Sequence, residues 1–136
     1  MDAARLKEIP LFESLSSREL REVAQRADEI DLGEGQELVR QGEFAYEFFV
    51  LLEGSAEVIR DGDCIAVLGA GDFLGEMGIV SGSERNATVN ATSPVRAVVM
   101  TEQDFRGVAA SLPNVAARIR AAVDRRAKTL AAPASD

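Results

Sequence analysis

The sequence predicts a mainly β fold flanked by helices, built as a sandwich, a jelly roll or a barrel. Beyond Ile30, short runs rich in Val, Ile, Leu and Phe alternate with turns that contain Gly and Asp. The turns recur at intervals of roughly eight to twelve residues, a pattern typical of many short strands. Before and after this region, apolar residues recur at helical spacing, so helices are expected at both ends.

The N-terminal helices are predicted within about residues 1–30. A short opening helix is expected over Leu6 to Phe12, ended at the Ile9-Pro10 step. Ser16 and Glu19 have the spacing of a capping box, in which each side chain accepts a hydrogen bond from the other residue's backbone N–H. A second helix is therefore predicted from Ser17 to about Ala27, with one apolar stripe available for burial.

The β region is predicted over about residues 31–101. Asp61-Gly62 marks a hairpin turn within it, because glycine adopts a positive φ without steric cost. Cys64 follows this turn and is expected to be a small buried strand residue. The pattern predicts six strands: Glu37 to Arg40, Phe48 to Leu52, Ala56 to Arg60, Cys64 to Leu68, Ala87 to Ala91 and Val95 to Met100.

Helices return over about residues 102–130. The Thr101 hydroxyl can cap a helix that begins at Glu102, with Asp104 at its third position. Pro113 starts another helix, since proline is favoured in the first turn. The tail from Ala131 to Asp136 is expected to be unstructured. Five apolar residues share one face of the last helix: Val115, Ile119, Ala122, Val123 and Leu130.

Composition limits the functions that the chain can perform. At 136 residues with 46% apolar content, it has room for one domain with a real core, and a single domain over residues 1–136 is expected. The formal charge of −8 argues against direct nucleic-acid binding, which needs a cationic surface. The absence of histidine removes the usual catalytic base and the usual zinc ligand. Neither catalysis nor a metal cofactor is therefore expected.

The protein is expected to be cytoplasmic. Its one cysteine, Cys64, cannot form an intramolecular disulfide, and Met1 to Lys7 contains no apolar run of signal-peptide length. No stretch approaches the roughly 20 apolar residues that a spanning helix needs. No membrane span is predicted in this chain.

The most informative stretch runs from Gly71 to Val89. Its glycines allow the backbone to bend or to approach a ligand closely. Glu76 can accept two hydrogen bonds from a pair of hydroxyls, and Arg85 offers a planar fork that matches a phosphate. Backbone N–H groups of the glycine-containing turn can supply further donors to an anion. The stretch therefore predicts a pocket for a small anion.

The same stretch resembles the phosphate-binding cassette of the cyclic nucleotide-binding domain, which reads roughly F-G-E-[LM]-A, a short loop, and [PE]-R-[STA]-A-T-V. The corresponding residues here are Phe73-Leu74-Gly75-Glu76-Met77-Gly78 and Glu84-Arg85-Asn86-Ala87-Thr88-Val89. The likeness continues through Ile9-Pro10-Leu11-Phe12, Arg40-Gln41-Gly42-Glu43, Leu51-Leu52-Glu53-Gly54 and Leu68-Gly69-Ala70-Gly71-Asp72. It implies an antiparallel β jelly roll, a double-stranded β-helix of cupin-like architecture, with N-terminal helices and a long C-terminal helix.

The resemblance also implies roles for individual residues. Arg85 would pair with the exocyclic oxygens of a cyclic phosphate, and Glu76 would accept a hydrogen bond from the ribose 2′-hydroxyl. The rest of the cassette, within residues 75–88, would contact phosphate and ribose through Gly75, Met77, Gly78, Asn86 and Ala87. A wall facing the base would consist of Val58, Ile65 and Ala66. A lid from the final helix would use Arg120, Val123 or Arg126.

The implied function is a non-enzymatic sensor of a cyclic nucleotide, cAMP rather than cGMP, in which binding moves the C-terminal helix. A threonine after the arginine would favour cGMP, whereas Asn86 can contact either base. The alternative is a degenerate domain that acts as a ligand-independent module, binding an effector protein or a second copy through its terminal helices. Asn86, Gly78 and the lack of an aromatic lid support this alternative. Glu76 and Arg85 count against it, because a jelly roll needs neither charge.

Overall fold

A computed structural model of the chain describes residues 1–43, 47–74 and 87–121. The strands within them are β1 (Asp28–Leu32), β2 (Glu37–Val39), β3 (Glu47–Glu53), β4 (Ala56–Arg60), β5 (Asp63–Leu68), β6 (Phe73–Leu74), β7 (Thr88–Ala91) and β8 (Val95–Thr101). They form two four-stranded sheets, in the orders β1-β8-β3-β6 and β2-β7-β4-β5. Neighbouring strands are antiparallel. The arrangement agrees with the predicted antiparallel jelly roll.

All six predicted strands are present, and none of their ends differs from the prediction by more than one residue. The sequence analysis missed β1 and β6. Three of the five residues of β1 are acidic, and acidic residues are depleted in strands; pairing with β8 along its whole length holds it in place. The two residues of β6, which pair with β3, are too few to show an alternating pattern. Tertiary pairing, rather than local composition, creates both strands.

Three short helices precede the sheets: α1 (Ala3–Leu6), a 3-10 helix (Pro10–Phe12) and α2 (Ser17–Gln25). The prediction of one opening helix over Leu6 to Phe12 is therefore wrong. The helical start lies earlier because the Asp2 side chain caps α1, accepting a hydrogen bond from the Ala4 N–H at 2.9 Å. Pro10 then begins a separate 3-10 turn, as its fixed φ and missing N–H favour the first position of a helix.

Two helices follow β8, namely α3 (Glu102–Ser111) and α4, which occupies residues 113–121. The predicted cap of α3 is confirmed, because Oγ1 of Thr101 accepts a hydrogen bond from the Asp104 N–H at 3.2 Å. The predicted start at Pro113 is confirmed as well. Residues 122–136 lie outside the described residues, so the length of the C-terminal helix and the unstructured tail stay predictions.

The two inner strands of the first sheet, β3 and β8, are buried on both faces and divide the core into two clusters. Along β3, Phe48 and Val50 pack with the helices, whereas Phe49 and Leu51 pack between the sheets. This alternation follows from the two-residue period of a strand and explains why β3 is apolar in its interior. The helical cluster also contains Leu6, Phe12, Val23, Val98, Phe105 and Val115, and the sandwich cluster contains Ala56, Leu68, Leu74, Val89 and Ala97.

Cys64 is exposed, so the prediction that it is buried is wrong. It lies on β5, which is an edge strand of the second sheet and has only β4 as a neighbour. Three residues further along β5, Val67 is 70% exposed. Cys64 pairs with Ile59 and Val67 pairs with Glu57, the two neighbours of Val58 on β4. Val58 packs against the sandwich cluster, and successive residues of a strand alternate between its faces, so Cys64 and Val67 lie on the opposite face. The apolar run alone does not reveal which face each residue occupies.

The predicted capping box of α2 is confirmed. Ser16 N–H donates to Oε1 of Glu19 at 2.9 Å, and Glu19 N–H donates to Oγ of Ser16 at 3.2 Å. The pKa of the Glu19 carboxyl is lowered from its ordinary value of 4.5. The main cause is the hydrogen bond from the Ser16 backbone N–H, and the second is the interaction of the carboxyl with the Ser16 side chain. The ionised carboxylate therefore contributes to the stability of the folded state.

Glu19→Gln is expected to lower the urea midpoint of unfolding at neutral pH by a small amount. Glutamine keeps the capping geometry and removes the charge. Because the folded-state pKa is lowered, the contribution of the charge is complete above pH 4.5 and is lost as the pH falls through the lowered value. Urea titrations of both proteins should therefore converge in acid. A deficit that stayed constant from neutral to acidic pH would contradict a role for the charge.

Candidate ligand-binding site

The segment that carries most of the predicted site residues begins in one sheet and ends in the other. β6, in the first sheet, ends at Leu74, and β7, in the second sheet, begins at Thr88. Between them, Ala87 is buried, with 6% of its surface exposed. The other predicted ligands of phosphate and ribose lie outside the described residues: Gly75, Glu76, Met77, Gly78, Arg85 and Asn86. Their roles stay predictions.

Backbone hydrogen bonds fix the loop that leads into this segment. Gly71, at φ +91°, donates its N–H to the Leu51 carbonyl at 2.8 Å, and the Leu51 N–H donates to the Asp72 carbonyl at 2.9 Å. The Asp72 carboxylate accepts a hydrogen bond from the Gly69 N–H at 2.8 Å. These bonds attach the start of the segment to the central strand β3.

Hydrogen bonds also fix the point where the chain leaves the segment. Thr88 lies opposite Ile59 on β4, and its Oγ1 accepts a hydrogen bond from the Gln41 N–H at 2.9 Å. The Gln41 side chain in turn contacts Asp61 in the β4–β5 turn. The sequence marked Gln41 only as part of the run Arg40-Gln41-Gly42-Glu43 and gave it no role, because side-chain partners this far apart cannot be identified from spacing.

The three predicted wall residues lie together on the second sheet. Val58 on β4 lies opposite Ala66 on β5 and opposite Val89 on β7. Ile65 occupies a bulge, since Val58 pairs with Ala66 whereas Ile59 pairs with Cys64. Residues 58, 65 and 66 are all half-buried. The row through residues 66, 58 and 89 includes a member of the sandwich cluster, so it faces the inside of the fold.

Of the three predicted lid residues, the structure describes Arg120 alone. Arg120 is exposed on α4, whose buried residues Val115 and Ile119 belong to the helical cluster. Arg118 attaches α4 to the N-terminal 3-10 helix, because its Nη1 donates to the Pro10 carbonyl at 2.6 Å. Val123 and Arg126 lie outside the described residues. The role of a lid stays a prediction for all three.

Arg40, next to Gln41, already has carboxylate partners. Its Nε donates to Oε1 of Glu37 at 2.7 Å and lies 3.6 Å from Oε1 of Glu43. The hydrogen bond that Arg40 donates to Glu37 and the charges of both carboxylates raise the pKa of Arg40. Because two acids balance its charge, Arg40 is a poor candidate for an anion ligand.

The described residues contain neither a metal-binding cluster nor a helix that could cross a membrane. No group of three or more His, Cys, Asp or Glu side chains within residues 1–43, 47–74 and 87–121 is arranged to hold a metal ion. In the same part of the chain, each helix is too short or too polar to span a bilayer.

A sequence model described as the cyclic nucleotide-binding domain matches residues 29–111. Of the described elements, the match includes all but the first residue of β1, strands β2 to β8 and α3, and it spans the whole segment between β6 and β7. The chain belongs to the cyclic nucleotide-binding domain family. The resemblance inferred from the cassette and the runs around it is thereby confirmed.

This cyclic nucleotide-binding domain is similar to parts of longer curated proteins. It is 35% identical to a cyclic nucleotide-gated potassium channel from Rhizobium etli over 119 residues, which cover 87% of this chain and 33% of the channel. It is 31% identical to a cAMP-dependent protein kinase regulatory subunit from Mycosarcoma maydis over 122 residues, covering 83% of this chain and 23% of the subunit. The domain therefore spans a third or less of these relatives.

Solved structures share the fold of the domain. A cAMP-bound PfPKA-R superimposes with a TM-score of 0.84 at 22% identity, covering 94% of this chain and 44% of that one. The catabolite activator protein of Thermus thermophilus gives a TM-score of 0.78 at 24% identity, covering 88% and 58%. The jelly roll with flanking helices is therefore the fold of this domain.

Proposed function

We propose that this domain binds cAMP through Glu76 and Arg85 and that binding moves its C-terminal helix, so that it acts as a non-enzymatic sensor. The observation that carries the proposal is the position of the wall. Val58 and Ala66 lie in one row with Val89, and Val89 is only four residues after Arg85. A base against this row would have its phosphate near the arginine.

The chemistry of the two charged residues supports a cyclic nucleotide. An arginine fork can donate two parallel hydrogen bonds to phosphate oxygens, and a carboxylate can accept the hydrogen bond of a ribose hydroxyl. Half-buried apolar residues such as Val58 and Ile65 provide a surface for a base without specifying which one. The relatives include a cyclic nucleotide-gated channel, a cAMP-dependent kinase subunit and a cAMP-bound regulatory protein, which favours cAMP, with cGMP as the alternative.

Aromatic contacts support the coupling between the site and the helices. The Phe73 ring, on β6 at the start of the segment, lies edge-on to Phe48 with centroids 5.7 Å apart. Phe48 in turn lies edge-on to Phe105 of α3, at 4.6 Å. A ligand that displaces β6 would therefore shift a packed ring that contacts the C-terminal helices. Interlocked rings cannot deform continuously, which favours two discrete arrangements.

The 3-10 helix provides a second route for this coupling. A Cβ atom at Gly71 would lie 3.5 Å from Cδ of Pro10, so the loop before the segment runs along this proline. The Pro10 carbonyl also accepts the hydrogen bond from Arg118 of α4. The proline therefore contacts the loop before the cassette and the helix that is expected to move. A ligand shifts the equilibrium between two positions of this helix only by its difference in affinity for the two states.

Calorimetric titration with cAMP, cGMP and 5′-AMP tests the proposal. Co-purified nucleotide is first removed by unfolding and refolding. We expect saturable binding of one cAMP per chain, weaker binding of cGMP, and much weaker binding of 5′-AMP, because opening the phosphate ring changes its shape and charge. No heat and no thermal stabilisation by either cyclic nucleotide at millimolar concentration would overturn the proposal and favour the ligand-independent interaction module.

A further inference from the structure

The loop after β2 connects two segments that are far from it in sequence, and Gln41 makes the connection. Its backbone N–H donates to Oγ1 of Thr88 at 2.9 Å. Its carboxamide forms two bonds with Asp61, donating from Nε2 to Oδ1 at 2.8 Å and accepting from the Asp61 N–H at 3.0 Å. We call these three residues, Gln41, Asp61 and Thr88, the Gln41 clasp.

The clasp bonds the hairpin turn at Asp61, a residue with an unusual backbone conformation. Asp61 has φ +52° and is the one non-glycine residue with a positive φ among those that the structure describes. This left-handed conformation is unfavourable for a residue with a Cβ atom. The two bonds from Gln41, one to the Asp61 backbone and one to its side chain, favour the turn that places Asp61 in this conformation.

The clasp lies at the end of the second sheet where the predicted site is expected. Thr88 is three residues after Arg85, and three residues span at most roughly 10 Å. On the other side, Asp61 is three residues after Val58 of the wall. Gln41 therefore connects the hairpin that carries the wall to the strand that follows the predicted phosphate ligand.

We propose that Gln41 is a positioning residue for the ligand, which sets the distance between the wall and Arg85 and thereby sets the affinity for cyclic nucleotide. This inference rests on the proposed function. Preorganisation is the physical reason, because a site whose parts are already fixed loses less conformational entropy on binding. Gln41 itself is not proposed to touch the ligand.

An exchange of donor and acceptor between Gln41 and Asp61 tests the proposal. In Gln41→Glu, two carboxylates face each other and the bond from Nε2 is lost. In Gln41→Glu combined with Asp61→Asn, the asparagine amide donates to the glutamate, so the side-chain bond returns in reversed direction. The bond from the backbone N–H of residue 61 is kept in both variants, and the net charge of the double variant equals that of the wild type. Asp61→Asn alone keeps its acceptor oxygen, and asparagine tolerates positive φ.

The expected result is a loss of cAMP affinity in the single variant and its recovery in the double variant. Gln41→Glu should raise the Kd for cAMP about tenfold, while the double variant and Asp61→Asn should lie within about twofold of the wild type. Urea unfolding of each protein separates this effect from a loss of the fold. The matched control is Gln36→Ala, which removes the bond from Gly33 N–H to Oε1 of Gln36 at the opposite end of β2 and should leave the Kd unchanged.

Thr88 provides an independent test. Thr88→Val keeps the β-branched shape but removes the acceptor oxygen, so it should weaken binding several-fold, whereas Thr88→Ser keeps the oxygen and should not. If the wild type binds cAMP and the Gln41→Glu protein binds it equally well, or if the double variant is no better than Gln41→Glu, the role of Gln41 is overturned alone. If the wild type binds no cyclic nucleotide, the proposed function fails, and the role of Gln41 fails with it.

Discussion

Replacing Arg85 with alanine is expected to weaken cAMP binding by about 30-fold to several thousandfold while leaving the fold intact. This range corresponds to about 2 to 5 kcal/mol, which is typical for truncating one partner of a desolvated, hydrogen-bonded charge pair. The loss should appear in calorimetry as a raised Kd. The midpoint of urea unfolding without ligand should stay close to that of the wild type.

Arg106→Ala is a matched control for the loss of one positive charge. Arg106 lies on α3, where its Nη2 is 3.1 Å from Oε1 of Glu102 in an exposed ion pair, and it is far along the chain from the cassette. If both variants bound cAMP as tightly as the wild type, Arg85 would not be the phosphate ligand. If both weakened binding equally, the effect would come from net charge rather than from a direct contact.

Gly54→Ala is expected to destabilise the domain by about 3 to 5 kcal/mol, which is exceptional for a single added methyl group. Gly54 has φ +93°, and a Cβ there would overlap with the carbonyl oxygen of Pro94. The obstacle is backbone and cannot swing away. The neighbouring loops are also bonded to each other, since Ser55 N–H donates to Oγ of Ser93 at 3.0 Å.

Gly42→Ala separates the effect of the steric overlap from the effect of the left-handed backbone conformation. Gly42 has a similar φ of +90°, but a Cβ there would meet no atom of the described residues within 4 Å. Gly42→Ala should therefore destabilise the folded state only because alanine is unfavourable in the left-handed conformation, by about 1 to 2 kcal/mol. Urea unfolding of both variants, with unchanged m-values, measures the difference. Equal destabilisation would show that the Pro94 carbonyl moves aside easily, contrary to the expectation.

Six of the described strands could be predicted because each of them carries its own signal. The β4–β5 hairpin is an example, since Asp61 and Gly62 both have positive φ, at 52° and 86°, as a type I′ turn requires. The acidic strand β1 carries no such signal. Its position depends on its partner β8, and composition alone favours a loop there.

Contacts between distant helices could not be predicted either. Gly107 lies inside α3, where glycine is about 0.5 to 1 kcal/mol less favourable than alanine, and the sequence offers no reason for it. In the structure, a Cβ at Gly107 would overlap with the guanidinium of Arg26, the residue that ends α2. The same guanidinium lies 3.7 Å from Asp104. The glycine leaves space for this contact between the two helical regions.

The candidate site also has a part that could be predicted from the sequence and a part that could not. Glu76 and Arg85 were predicted from a motif of residue types and spacing, and their roles stay predictions. The row of Val58 and Ala66 was named from resemblance, and strand register places the two residues opposite each other. The Gln41 clasp depends on where three loops end relative to one another, and no local pattern encodes that geometry.

The segment from residue 75 to residue 86 joins an edge strand of one sheet to an inner strand of the other. A nucleotide held by both ends of this segment would therefore act as a cross-link between the two halves of the sandwich. Hydrogen exchange is expected to reveal this. The amides of β6, a two-residue edge strand with β3 as its partner, should exchange by local opening in the free protein and approach the exchange rates of β7 once nucleotide is bound.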